Sequence, residues 1–254
     1  MFLPKLEIIP VDPELNVRFI CKYLSPEMKA NKTRPFLEKT LLMYPELREA
    51  STIQDDNVRN TLIREAVTKH LEDAKEEIGA RINYFTKKFH TFINDFIVAQ
   101  CNAYHYIWKE KDPIIQCNVG YLPFYPRSTK DKCFFASYND DERVFSGAVH
   151  EINHMIFYEK WNEMHGVDNA VEKYFPDPLW FLEEIIVDPT LNDKNVRPYT
   201  LYENKAYDQF YKPVINGRSI MSYILEMYES KSSIESFLIE AYALVCDNIT
   251  SLVG

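Results

Sequence analysis

Glycine is scarce in this chain, with only six in 254 residues. Neither G-x-G-x-x-G nor G-x-x-x-x-G-K-[ST] occurs, so the glycine-rich loops that cradle nucleotide phosphates are missing. Basic residues are outnumbered, 29 Lys and Arg against 38 Asp and Glu, for a formal net charge of −9. They form no run of five, and the balance disfavours both nucleic acid and an anionic membrane surface as partner. Cysteine is sparse and scattered: Cys21, Cys101, Cys117, Cys133 and Cys246, an odd number with no C-x-x-C. That pattern speaks against a disulfide framework or a cysteine zinc site and for free thiols in a reducing compartment. No stretch of 18 apolar residues exists, so no transmembrane helix is expected. The opening MFLPKLEIIPVDPE has no apolar run of signal-peptide length and is broken by Pro4, Pro10 and Pro13. The expectation is a cytoplasmic protein.

What is present is a folding composition, 46% hydrophobic and 14% aromatic. The pattern predicts an α+β chain, mainly helical. An edge strand is expected over Lys5 to Ile9, then helices over Pro13 to Leu24 and around Pro35 to Met43. From Thr52 to Lys111 apolar residues recur at three-to-four spacing, from Val58 and Leu62 to Phe96 and Ile97. This stretch, free of proline, reads as two helices or one bent helix whose aromatic stripe packs a core. Pro113 ends it. Residues 114–125 and 132–138, rich in branched and aromatic side chains, read as strands. Residues 1–111 thus form a mainly helical part and 112–254 a strand-and-helix part, packed as one compact unit. No internal repeat or low-complexity segment is evident.

The stretch VFSGAVHEINHMIFY, residues 144–158, carries His150, Glu151 and His154 in the spacing H-E-x-x-H. Residues four apart share one helix face, one turn above the other. Both imidazoles can then reach one metal ion, with Glu151 placed to reach a water on it. The flanks, from Val144 to Phe157, are apolar, so the helix should be buried. Buried histidines and a glutamate need partners, which a zinc ion supplies. Acids at Asp140, Asp141 and Glu142 suit the start of this helix, expected from about 141 to 160.

Catalytic zinc usually takes three protein ligands. His165 follows in a polar loop, and Phe157 and Lys160 rule out the extended H-E-x-x-H-x-x-G-x-x-H pattern. The stronger candidate is PLWFLEEIIVDPTL, residues 178–191, where Glu183 and Glu184 interrupt an apolar run. Glu184 is the preferred ligand, because Asp188 lies four residues on and could accept the second N–H of a bound histidine. Glu183 is the alternative. Pro189 is expected to end this helix.

The series His150, Glu151, His154, Glu184 and Asp188 resembles the gluzincins, the thermolysin-like zinc metallopeptidases. The resemblance spans residues 144–188. It departs in a longer gap before the glutamate and in Glu183 where an Asn often stands. In related families a W-x-x-E spacing would select Glu183, counted from Trp180. The resemblance implies a zincin-like fold with a small sheet before the H-E-x-x-H helix. Its edge strand lines the cleft, and Cys133 to Tyr138 is the candidate edge. It implies Zn2+ on His150, His154 and Glu184, Glu151 as general base, and a peptide or protein as substrate. A tyrosine after the glutamate helix often stabilises the oxyanion in this group, and Tyr199, Tyr202 and Tyr207 are equal candidates. The competing expectation is a catalytically silent zincin-like binding or regulatory protein. Oligomeric state is not readable from the chain.

Overall fold

A computed structural model describes residues 2–30, 35–166 and 172–253, apart from the side chains of 29 and 30. The chain is α+β and mainly helical. A strand β1 (Lys5–Pro10) opens it, followed by helices α1 (Pro13–Tyr23), α2 (Pro26–Ala30) and α3 (Phe36–Met43). The long helical stretch is three helices, α4 (Asp56–Asp73), α5 (Lys75–Phe89) and α6 (Ile93–Ala103). The breaks fall at Ala74 and at the turn 90–92, neither of which has a sequence breaker. Strands β2 (Ile114–Gly120), β3 (Arg127–Ser128) and β4 (Cys133–Ser137) follow, then α7 (Asp141–His165). After it come α8 (Pro178–Ile185) and α9 (Val187–Leu191), a short hairpin β5 (Pro213–Ile215) and β6 (Arg218–Ser219), and helices α10 (Ile220–Ser230), α11 (Ile234–Asp247) and α12 (Ile249–Val253).

The main sheet has the order β1-β2-β4-β3. β1, β2 and β4 are parallel, with Ile8 opposite Cys117 and Cys117 opposite Phe134. β3 runs antiparallel to β4, pairing Arg127 with Phe134. The sheet therefore joins the N-terminal and C-terminal halves. β4, expected at the edge, is internal. The edge strands are β1, as expected, and on the β4 side the two-residue β3, because the turn at 129–132 folds residues 127–128 back onto β4. Gly120 closes the end of β2 where the chain packs tightly: a Cβ there would stand 2.4 Å from Asn16 Oδ1 and 2.5 Å from Val11 Cγ1. That Asn16 oxygen accepts the Tyr121 amide at 3.0 Å.

The aromatic stripe of the helical stretch is core, as read from its spacing. Phe85, Phe89 and Phe92 converge on Phe145 of α7, at ring separations of 5.7, 5.0 and 6.2 Å. α7 is buried almost continuously from Val144 to Trp161. Each large apolar side chain so enclosed contributes about 1.5–3 kcal/mol. A buried polar lock holds the middle of α7. Asn153 Oδ1 accepts from Gln100 Nε2 at 2.6 Å, Tyr104 hydroxyl at 3.0 Å and Thr190 hydroxyl at 3.2 Å. Helices α6, α7 and α9 are thereby fixed to one oxygen between Glu151 and His154. All five cysteines are free thiols. Among the described residues no helix is long and apolar enough to cross a membrane.

Candidate metal centre

α7 begins where its sequence favours a start. The Asp140 carboxylate accepts the Arg143 amide at 3.1 Å, and Asp141 and Glu142 occupy the first turn. The helix runs to His165, longer than expected, and Gly166 ends it at φ +86, a conformation that glycine adopts without strain. His165 is therefore helical rather than in a loop. Its ring packs on Trp161 at 4.3 Å, about three turns beyond His154.

α8 begins at the Asp177 side chain, which accepts the Leu179 amide at 2.8 Å, with Pro178 at the first helical position. Pro189 does not end the helical path. Ile186 interrupts it, and Pro189 sits in the first turn of α9, where a missing N–H costs nothing. The interruption also redirects Asp188. Its carboxylate accepts from Asn192 Nδ2 at 3.0 Å and from the Tyr211 hydroxyl, and does not follow Glu184 towards the histidines.

The two helices bring four groups together. His150 Nε2 and His154 Nε2 lie 2.8 Å apart. Glu184 Oε2 is 3.5 Å from the first and 3.8 Å from the second. A circle through those three atoms has a radius of about 2.0 Å, the length of a zinc–nitrogen or zinc–carboxylate bond. Ligand atoms of His150, Glu151 and His154 also lie within 4.8 Å of one another. Two imidazole nitrogens facing each other so closely both aim lone pairs, or one lone pair and one proton, at a common point. His154 and Glu184 are buried, while a quarter of the His150 side chain (26%) is exposed, so the site opens towards solvent at His150.

Glu183 is wholly buried on the other side of His154. Its Oε2 stands 3.4 Å from His154 Nδ1, a contact at ion-pair distance but without hydrogen-bond alignment in this arrangement. The acceptor facing the second nitrogen of a histidine is thus Glu183, the position weighed as the alternative ligand. Adjacent carboxylates on α8 thus stand against the two nitrogens of one imidazole.

Sequence reasoning missed Arg127. It stands on β3, and its guanidinium touches four acids: Glu183 Oε2 at 2.6 Å, Glu172 Oε1 at 3.0 Å, Glu151 Oε2 at 3.2 Å and Glu184 Oε1 at 4.0 Å. A lone arginine in YPRSTK carries no pattern that would have marked it. Burial alone would lower the Arg127 pKa, but Glu183, Glu151, Glu184 and Glu172 more than reverse this and hold it well above the ordinary value. Burial pushes Glu183 well up and Glu151 up, with Arg127 opposing both. Burial also lowers His154 well below its usual value, aided by Arg127 and His150, so that imidazole is neutral as a ligand must be. For His150, burial lowers the pKa, yet the hydrogen bond it donates to Glu184 and the charge of Glu151 outweigh it and raise the net value.

The three tyrosines suggested for an oxyanion are placed differently. Tyr199 lines a surface cavity of about 690 Å³ beside α6 and α10, whose walls include none of His150, Glu151, His154, Glu183, Glu184 and Arg127. Tyr207 stacks on Trp180 at 6.0 Å, one turn before Glu184. Tyr202 packs half-buried against the core. Tyr174, not considered from sequence, has a phenol that burial raises, with Glu172, Arg127 and Glu183 also acting on it. It precedes α8, so a search confined to residues after that helix could not find it.

Comparison with protein-family models, with curated proteins and with solved structures returns no match to this chain.

Proposed function

We propose that this protein is a zinc-dependent peptidase with His150, His154 and Glu184 as the metal ligands. The observation that carries the reading is the triangle of Nε2, Nε2 and Oε2 atoms, whose size matches a single zinc ion. A neutral, buried His154 and an acid beside its outer nitrogen suit the same role. Zinc held there would supply Lewis acidity and a bound water acidified towards neutral pH.

Glu151 is the general base. It lies one residue from His150, its ligand atom within 4.8 Å of those of both histidines. Its carboxylate takes a proton from water as the oxygen attacks the peptide carbonyl carbon, then delivers it to the departing amine as the C–N bond breaks. Burial raises its proton affinity, which favours this two-way traffic. Glu183, whose Oε2 stands 3.4 Å from His154 Nδ1, would accept that proton once the two align and so leave Nε2 free to ligate. A tyrosine hydroxyl would donate to the oxyanion; Tyr207, stacked on Trp180 of α8, and Tyr174, which senses the charges of Arg127 and Glu183, are candidates beside Tyr199 and Tyr202. The substrate is a peptide or protein, and the setting is cytosolic, consistent with five free thiols and a net charge of −9. Nucleic acid is not the partner.

The test is metal analysis of purified protein together with cleavage of a peptide library, with Glu151→Gln as control. The reading requires about one zinc per chain and hydrolysis that falls by about a hundredfold or more in Glu151→Gln, which keeps its zinc. Zinc without any cleavage would point instead to a silent binding or regulatory protein.

A further inference from the structure

Arg127 occupies an edge strand of two residues, yet its guanidinium is enclosed by acids from three other segments. Its nitrogens are divided among them. Nη2 donates to Glu183 Oε2 at 2.6 Å, and the same oxygen faces His154 Nδ1 at 3.4 Å. Nη1 donates to Glu151 Oε2 at 3.2 Å. Nε lies 3.0 Å from Glu172 Oε1, while Glu172 Oε2 accepts both the amide and the hydroxyl of Thr129 at 3.1 Å. The guanidinium is anchored from behind through Glu172, which Thr129 in the turn after β3 holds, and reaches forward to two groups of the site. A planar fork with donors at fixed angles can hold two carboxylates at a set separation, which a lysine ammonium cannot.

We propose that Arg127 is a positioning residue for the metal centre: it fixes the Glu151 carboxylate directly and, through Glu183, the tautomer and ring orientation of His154. The part concerning Glu151 rests on the peptidase reading, whereas the part concerning His154 rests only on metal binding. Such acceptors behind a histidine ligand typically govern affinity by about 10–100-fold. Arg127 adds one further link to that chain, since its Nη2 donor holds the same Glu183 oxygen that faces His154 Nδ1.

The experiment uses Arg127→Ala and Arg127→Lys in the full chain. Zinc affinity is measured by competition with a chelator, with and without millimolar guanidinium. The expected result for Arg127→Ala is a loss of about 10–100-fold in zinc affinity, recovered by guanidinium but not by sodium chloride or methylammonium at equal ionic strength. Arg127→Lys keeps the charge and loses the fork, so its affinity should fall without responding to guanidinium. On a cleaved peptide, zinc-saturated Arg127→Lys should lose about tenfold or more in kcat with KM little changed. Unchanged or tighter zinc binding in Arg127→Ala, indifferent to guanidinium, would overturn the proposal. If that variant does not fold, wild-type zinc affinity in Arg127→Lys overturns it equally. Absence of peptide cleavage by the wild type would remove the peptidase reading alone, since the chelator and guanidinium measurements still decide the role of Arg127.

Discussion

Asn153 gives the sharpest prediction about how the site is held. Replacing it with leucine keeps the approximate volume and removes the oxygen on which three donors meet. The Thr190 hydroxyl retains another acceptor, the Ile186 carbonyl at 2.7 Å. Gln100 Nε2, buried, is left without one, while the Tyr104 hydroxyl keeps Thr190 as a neighbour. Each orphaned buried group costs about 1–3 kcal/mol. Asn153 Nδ2 has no partner in the wild type, so its removal offsets part of this. The net loss should be about 1–3 kcal/mol. For a chain of this size that corresponds to a fall in Tm of about 2–12 °C. Calorimetry in the presence of a chelator measures it free of metal linkage. Adding Gln100→Leu and Tyr104→Phe removes two of the donors, so the triple variant should be less unstable than the three single losses summed. A loss under about 1 kcal/mol for Asn153→Leu, or simple additivity in the triple variant, would refute the lock.

Further outcomes follow from other contacts. Burial pushes Glu159 up, but bonds from Lys132 at 2.6 Å and Lys109 at 3.0 Å outweigh it and depress its pKa. A group depressed in the folded state stabilises above its unfolded pKa, and that contribution disappears as pH falls through the folded value. Wild-type stability should therefore decline on acidification by an amount that Glu159→Gln lacks, as urea titrations across acid pH would show. Gly120→Ala should cost about 1–3 kcal/mol, because the added methyl meets Asn16 Oδ1 and Val11 Cγ1, and denaturant melts would detect it.

Much of this site was written in the local pattern. Four-residue spacing alone put His150 and His154 on one face, and the acids Asp140, Asp141 and Glu142 marked where the helix begins. The choice between Glu183 and Glu184 was posed by sequence but turned on geometry, because adjacent residues on α8 point about a hundred degrees apart. Glu184 faces the pair of Nε2 atoms and Glu183 the far nitrogen of His154. The expected support from Asp188 presumed an unbroken helix past Glu184. The break at Ile186 turned that residue towards Tyr211 and Asn192. Arg127 and the edge strand β3 were illegible, since a pair of residues paired across a turn has neither period nor composition to announce it. The order of strands in a parallel sheet is likewise non-local, so β4 read as an edge although two neighbours flank it.

The central claim is tested most directly by zinc K-edge absorption spectroscopy with metal counting on wild type, Glu183→Gln and Glu184→Gln. The account predicts one zinc per chain bound by two imidazoles and a carboxylate, with the carboxylate signal lost in Glu184→Gln and kept, at weakened affinity, in Glu183→Gln. Wild-type protein that binds no zinc, or a first coordination shell unchanged by Glu184→Gln, would contradict it.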